Sequence, residues 1–546
     1  MEIKKLEINN FRSIKELIIE PNSLNALVGP NSSGKTNILK AIDLVLGEGW
    51  ATKAKVAREL FHDTSQNIFI KITFNERIPW LYYGKSIAVN CVTLEMSYQP
   101  LECTVRLWSD YPNDKNGDGY YLNDVFKKQC HFIYIPAHRD LSAQMRVSNW
   151  TLLGKLMKLV YDNYVNEYDS EEDLKEEFEQ LMEQPKEFLE NDFNQSQDIV
   201  TFKNFVDEFV NNCQSNSTGL ATAFIPSLDI YNLNWFYKTL QIHIKEEFPE
   251  KTFDVEEVGS GMQNIILISL FQSYARLVGG NVIFGIEEPE IFLYPQAQRS
   301  LYDSFKELSV GSQIFYTTHN PNFVDASRAH EVHLVRKNQE EGTFILEKDP
   351  IINQEEAGQQ QFKIYTQFNS DRNELFFARQ VLLVEGDSDK ILWSTLCSEK
   401  WGIDLNKGGV AVIECGGKGG VNYFVGVCKL MGIEDYFAIW DSDDENYSPN
   451  HDHLSDLQSK NKGLEIPGNI ESFLSQKFPQ SSFRTDHKVE DSYLWALHVK
   501  EEDIPEEFDS VRDFLVKSLL NKKEESGQQE DVANVDEDED IDNIPF

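Results

Sequence analysis

The chain is poor in cysteine and in positive charge, and it contains no long apolar run. Its seven cysteines are scattered over 546 residues and never form a C-x-x-C pair. That argues against a disulfide framework or a zinc site and for a reducing cytoplasm. No stretch approaches the ~20 apolar residues of a membrane span. The opening Met1-Glu2-Ile3-Lys4-Lys5 enters a strand-like pattern at once, with no signal-peptide apolar segment. A cytoplasmic protein without a membrane partner is expected. Lys and Arg number 51 against 90 Asp and Glu, a formal charge of −39 that repels phosphates. The deficit is local, however. Residues 161–210 hold 16 acids and 3 bases, residues 524–546 hold 10 acids and no base, and together they supply −23 of the −39. Charge therefore weighs against a nucleic-acid partner without excluding one that meets local basic patches and bound metal.

With 41% hydrophobic residues, the chain is long enough for several cores. Leu24-Asn25-Ala26-Leu27-Val28 reads as a buried strand. Gly29-Pro30-Asn31-Ser32-Ser33-Gly34-Lys35-Thr36 follows, a full G-x-x-x-x-G-K-T, and then a helical pattern from Asn37 to Leu46. Strand, glycine loop and helix in that order let backbone N–H groups wrap phosphates. Lys35 neutralises the β and γ charges and Thr36 reaches Mg²⁺. The expected cofactors are ATP and Mg²⁺, with Asn31, Gly34, Lys35, Thr36 and Asn37 as contacts.

Three further segments fit the same chemistry. The apolar strand Val282 to Ile286 ends in Glu287-Glu288-Pro289-Glu290. There Glu287 can hold Mg²⁺ through water, and Glu288 can orient or deprotonate the attacking water. Ser260-Gly261 opens a helix-like run from Asn264 to Tyr274, a phosphate-binding end. Ile314-Phe315-Tyr316 leads to His319, placed to sense a γ-phosphate.

This set resembles an ATP-binding-cassette (ABC) ATPase of the branch that contains the SMC and RecF proteins. The opening Ile8-Asn9-Asn10-Phe11-Arg12-Ser13 resembles that branch's first strand and arginine. The resemblance implies that Arg12 contacts nucleotide and that Ser260 and Gly261 cap ATP on a second subunit. It also makes His319 the switch histidine and requires a head-to-head homodimer. Gln66 is the only candidate for the coupling glutamine.

Residues 151–245 are rich in Glu, Lys, Leu and Phe at helical spacing, with Leu174, Phe178, Leu181, Met182 and Phe188 near an i, i+4, i+7 pattern. A helical dimerisation insertion and a solvated acidic hairpin fit that pattern about equally, and the domain assignment adopts the first. Upstream, His138-Arg139-Asp140 lacks the asparagine and the nucleotide loop that a kinase reading needs.

A second α/β unit begins near Phe377. Val381-Leu382-Leu383-Val384 delivers Glu385 and Asp389, Val410 to Ile413 leads to Glu414-Cys-Gly-Gly-Lys418-Gly-Gly420, and Tyr436 to Trp440 delivers Asp441 and Asp443. Carboxylates converging at the ends of parallel strands repel one another unless a hard cation sits between them. A glutamate after one strand and D-x-D after a later one resemble the TOPRIM domain. Joined to this ATPase, they resemble the OLD (overcoming lysogenisation defect) endonucleases over about 500 residues. That resemblance implies two-metal hydrolysis of DNA, with Mn²⁺ or Ca²⁺ as possible substitutes for Mg²⁺. Glu385, Asp389, Asp441, Asp443 and Glu471 would be ligands, and Lys418 and Lys488 would contact the scissile phosphate. It also implies anti-phage defence, alone, beside a helicase, or as the effector of a retron with its reverse transcriptase and RNA. An ATP-gated DNA clamp of RecF type, without nuclease activity, is the alternative.

The expected architecture is α/β. Residues 1–150 and 246–345 are the two halves of the ATPase, 151–245 the helical insertion, 346–376 a linker, 377–520 a Rossmann-like TOPRIM domain and 521–546 an acidic tail. The tail ends in Ile544-Pro545-Phe546. Its charge forbids collapse and its apolar content is low, so disorder is expected. Its end resembles the tip of single-stranded-DNA-binding proteins, which implies capture of the partners that read such tips or folding back into a basic groove, with a solubilising tail as the plain alternative.

Overall fold

The computed structural model describes residues 1–47, 49–82, 85–109, 119–137, 243–247, 250–254, 257–277, 282–347, 371–442, 452–478 and 486–517, with a few isolated positions between 151 and 210 and at 483–484. Asp443, the kinase-like triplet, most of the helical insertion, most of the linker and the tail lie outside the described residues. The chain divides into two compact units. One comprises Met1–Ala137, Asn281–Glu290 and Pro295–Phe546, the other His138–Gly280 and Ile291–Tyr294.

The first unit holds a twelve-stranded sheet with two characters. Its strands are β1 (Ile3–Phe11), β2 (Ile14–Ile19), β3 (Leu24–Val28), β4 (Ile68–Tyr82), β5 (Lys85–Ser97), β6 (Glu102–Trp108), β7 (Tyr120–Tyr121) and β8 (His131–Ile135). In the second unit, β9 (His243–Glu247) and β10 (Glu250–Asp254) pair separately as an antiparallel hairpin. The large sheet is completed by β11 (Val282–Glu287), β12 (Gln313–Thr318), β13 (Val332–Asn338) and β14 (Gly342–Ile345). The order is β7-β6-β5-β4-β1-β2-β14-β13-β3-β12-β11-β8.

From β13 through β3, β12 and β11 to β8 every pairing is parallel, and the remainder is antiparallel. Residue choice explains the split. β3, β11 and β12 are buried at every position, as a parallel sheet covered on both faces demands. In β4, by contrast, Ile68, Ile70, Ile72 and Phe74 are buried at alternate positions, the period of a strand with one wet face. Helix α1 (Lys35–Leu46) buries Ile38, Leu39, Ala41, Ile42, Val45 and Leu46 in a core shared with Leu27, Ile283 and Phe315. Each of the Ile, Leu and Val side chains among them contributes roughly 1.5–3 kcal/mol of burial. Helix α2 (Ser260–Leu277), in the second unit, is longer than the sequence pattern delimits.

Helix α3 (Pro295–Leu308) buries Leu301, Tyr302 and Phe305, and Phe305 packs against Tyr316 and Phe323. Further on lies a four-stranded sheet, ordered β16-β15-β17-β18 and parallel throughout. It comprises β15 (Gln380–Val384), β16 (Val410–Glu414), β17 (Tyr436–Asp441) and β18 (Gly463–Ile466). Helices α4 (Asp387–Glu399), α5 (Lys418–Leu430), α6 (Ile470–Lys477) and α7 (Lys488–His498) accompany it. Leu382, Val384, Phe437 and Ile439 form its core with Trp393, Trp495 and Phe508. Because β16 and β17 flank β15, the strand order reverses between β15 and β17, which is where such folds open a binding crevice.

Candidate functional sites

The glycine loop joins β3 to α1. Gly34 has φ +102°, and a Cβ there would stand 2.1 Å from Thr343 Oγ1, so only glycine fits. The Thr343 hydroxyl donates to the Ser33 carbonyl at 2.9 Å and lies 2.7 Å from Ser13 Oγ. Asn37 Nδ2 also donates to Ser13 Oγ, at 2.7 Å, so Asn37 braces the loop. Lys35 Nζ donates to the Gly29 and Pro30 carbonyls at 2.9 and 2.8 Å. Burial pulls its amine down to about 8, against the opposing pull of the Glu288 charge. Phosphate oxygens can replace those two carbonyls as acceptors.

At the end of β11, two places along the sheet from β3, Glu287 Oε1 accepts from the Tyr134 hydroxyl at 2.6 Å and Oε2 accepts from the Ala137 N–H at 3.0 Å. A carboxylate so clamped suits an ion held through water. Glu288 adopts φ +42°, uncommon for a side chain of its size, and its N–H donates to the carbonyl and hydroxyl of Thr317 at 3.0 and 3.1 Å. His319 Nε2 lies 3.8 Å from Glu288 Oε1. Burial and the Lys35 charge lower the imidazole's pKa, favouring its neutral form. Arg12 also has a positive φ, +53°, and its Nε is buried without a hydrogen-bond partner. An anionic ligand would satisfy it. Strand, loop, acids and histidine thus fit a nucleoside triphosphate with Mg²⁺. Thr36 opens α1 beside Lys35.

A cavity of about 570 Å³ is lined by Asn10, Lys15, Arg58, Phe61, His62 and Gln66, among others. This places Gln66 on a cavity wall next to the loop after β1. In the second unit, Ser260 and Gly261 start α2. A Cβ on Gly261 would approach the Phe292 carbonyl oxygen to 2.9 Å.

The acidic residues gather at the carboxyl ends of the small sheet. Glu385 follows β15 and Asp441 closes β17, the two strands that meet at the switch point. The Asp441 N–H donates to Glu385 Oε1 at 2.7 Å, while the Gly416 and Gly417 N–H groups donate to the Glu385 carbonyl at 2.9 Å. Asp389, 4% exposed in the first turn of α4, accepts from the Gly386 N–H at 3.1 Å. Burial first, then the Glu385 and Glu471 charges, push its carboxyl up to about 7. Glu471, at the start of α6, takes Ser388 Oγ at 3.3 Å and Lys488 Nζ at 3.3 Å. Lys418 Nζ donates to the Asp441 carbonyl at 3.0 Å and pairs with Glu465 at 3.5 Å.

The structure therefore brings Glu385, Asp389, Asp441, Glu471, Lys418 and Lys488 into one neighbourhood. Among the described residues no three His, Cys, Asp or Glu side chains close into an ion-binding group. Glu385 and Asp389 instead accept from backbone N–H groups. Crowded oxygen donors with a raised carboxyl pKa fit a hard cation, which would relieve their repulsion.

Several supports escaped the sequence reading. Ser388 on Glu471 stands inside the segment from Glu385 to Asp389, and Tyr134 on Glu287 stands in β8; neither role is visible in the sequence. Thr343 has no local signal, since its partner Ser33 is 310 positions away.

Comparison with known proteins matches residues 1–102 and 92–324 to a family described as an AAA ATPase domain. Residues 376–443 match the TOPRIM domain of overcoming lysogenization defect-like proteins. The chain is 27% identical to the OLD nuclease of Thermus scotoductus over 541 residues, 94% of this chain and 98% of that protein. It is 23% identical to the Old nuclease of Escherichia phage P2, covering 80% of this chain and 76% of that one. With the endonuclease GajA of Bacillus cereus it shares 24% identity over 79% of this chain and 74% of that protein. The chain belongs to the AAA ATPase domain family and carries an OLD-like TOPRIM domain joined behind the ATPase.

Proposed function

We propose that the protein is an ATP-binding, metal-dependent DNA endonuclease that hydrolyses phosphodiesters at its TOPRIM site. The observation that carries this reading is the pairing of Glu385 and Asp441 at the switch point of a parallel sheet, in a chain that also holds a complete phosphate loop. Glu385, Asp389, Asp441, Asp443 and Glu471 would hold divalent cations, which supply charge neutralisation and an activated water. The chain's own part is to orient those acids through the N–H groups of Asp441 and Gly386. Lys418 and Lys488, tied to Asp441 and Glu471, are positioned to meet a phosphate. At the other site, Lys35 and Arg12 bind the triphosphate, Glu288 orients water and His319 reads the γ-phosphate.

Supercoiled plasmid incubated with Mg²⁺ or Mn²⁺ tests the reading. The intact chain should nick or cut and Asp441→Ala should not, whereas equal products from both would contradict it.

The ATPase should work as a homodimer in which Ser260 and Gly261 cap the partner's nucleotide. Exposed Met262, Ile265, Phe292 and Tyr294 in the second unit support that reading. Glu288→Gln with ATP should double the solution mass, and a mass unchanged by ATP would argue against the dimer. The setting we favour is cytoplasmic anti-phage defence, and no helix among the described residues is long and apolar enough to cross a membrane. The tail's Ile544-Pro545-Phe546 supports capture of a repair partner, and deletion of residues 541–546 should abolish that capture. Unchanged capture would leave the tail a solubilising segment.

A further inference from the structure

A short 3-10 turn, Arg372–Phe376, lies between the two sites in sequence and touches a supporting element of each. Leu375 and Phe376 are fully buried and anchor it. Asn373, 3% exposed, donates through Nδ2 to the carbonyls of Pro321 and Val324, both at 2.8 Å. Those carbonyls belong to the turn immediately after His319.

That turn is internally tied and should move as one body. The Thr318 hydroxyl and the His319 N–H both donate to Glu290 Oε1, at 2.6 and 3.0 Å. The Asn320 N–H donates to Thr318 Oγ1 and the Asn322 N–H to Asn320 Oδ1, each at 2.9 Å. The Tyr316 hydroxyl holds the Phe323 carbonyl at 2.6 Å.

One residue earlier, Arg372 Nη2 donates to Glu414 Oε2 at 2.6 Å. Glu414 ends β16. The next three residues donate their N–H groups to the end of β15, Cys415 to the Val384 carbonyl and Gly416 and Gly417 to the Glu385 carbonyl, all at 2.9 Å. Two consecutive buried residues thus grip the nucleotide-sensing turn on one side and the strand end that shapes the Glu385 loop on the other. A charge-assisted bond and amide donors in a low-dielectric interior resist independent movement of the two ends.

We propose that Arg372 and Asn373 are positioning residues that couple the state of the His319 turn to the placement of Glu385. Nucleotide bound at the first site thereby sets the cutting competence of the second. The coupling rests on the readings of the two sites given above. Its physical basis is a shared packed element that both sites bias.

The test measures plasmid cleavage with and without a non-hydrolysable ATP analogue. The intact chain should change its cleavage rate at least about fivefold, in either direction, as coupling energies of this class do. Asn373→Ala should cut like the intact chain without nucleotide, and its response should fall below about twofold. Arg372→Ala should behave likewise, with Arg372→Lys restoring part of the response. A full response in Asn373→Ala would overturn the proposal. Hydrogen exchange in the intact chain decides the matter if the variants misfold. Amides 415–417 should shift their exchange rate by about fivefold on adding the analogue, and an unchanged rate overturns the coupling. An exchange response without any DNA cleavage would uphold the coupling while defeating the nuclease reading.

Discussion

The glycine loop at residues 29–36 and the acidic turns at Glu385 and Asp441 both sit at the carboxyl ends of parallel strands, yet they are stabilised by different means. The loop is made of backbone. Gly34 turns it, Thr343 and Asn37 brace it, and Lys35 bonds the loop's own carbonyls, so its shape is set by hydrogen bonds within the chain. The acidic turns are made of like charges. Glu385 and Asp389 borrow N–H groups from Asp441 and Gly386, and burial with mutual repulsion drives the Asp389 carboxyl up to about 7. Dipoles can be prearranged without a ligand, whereas converging carboxylates require the cation they serve. The first site is preformed; the second is a set of donors that a cation would gather.

The sharpest way to break the preformed site is to remove its charge. Lys35→Ala should lower ATP turnover by on the order of 10²–10³-fold in a phosphate-release assay, because it deletes a donor aimed at developing charge. A smaller loss would mean that the loop's N–H groups suffice. Gly34→Ala attacks the geometry instead. Forcing a Cβ against Thr343 at φ +102° should cost about 1–3 kcal/mol, read as weaker binding of a fluorescent ATP analogue.

A gentler probe is pH. With the free Lys35 amine at about 8, the residue is already charged below that value, and the phosphates would hold it charged above. Binding must then take up a proton, so affinity should be flat below about pH 8 and fall by up to about tenfold per unit above it. A flat profile to pH 9.5 would show that burial does not depress this amine. Smallest of the four is Thr343→Val, which removes the neutral hydroxyl that bonds Ser33 and Ser13 and should cost about 1–2 kcal/mol in thermal stability.

The same contrast explains what could be read from the sequence. Runs buried on both faces, such as Val282 to Ile286 and Tyr436 to Trp440, declare parallel strands, and the glycine loop declares its turn. Both are local signals, and both candidate sites are drawn from them. The antiparallel arm was not read, although Ile68, Ile70, Ile72 and Phe74 alternate as a half-buried strand should. Helix α2 extends beyond Asn264 to Tyr274 at both ends, starting at Ser260 and closing at Leu277. Contacts such as Thr343 on Ser33, or Asn373 on Pro321 and Val324, join segments far apart in the chain. No local pattern encodes them; they exist only once the sheet order is set. Asp443 and the acidic tail lie outside the described residues and remain proposals from sequence.

The crowded acids behind β15 and β17 should form one cation centre. It is tested most directly by titrating Mn²⁺, followed by electron paramagnetic resonance, into the nucleotide-free Lys35→Ala chain and into the same chain carrying Glu385→Gln. Saturable Mn²⁺ binding is expected in the first, lost or greatly weakened in the second. Equal binding by the two chains would contradict it.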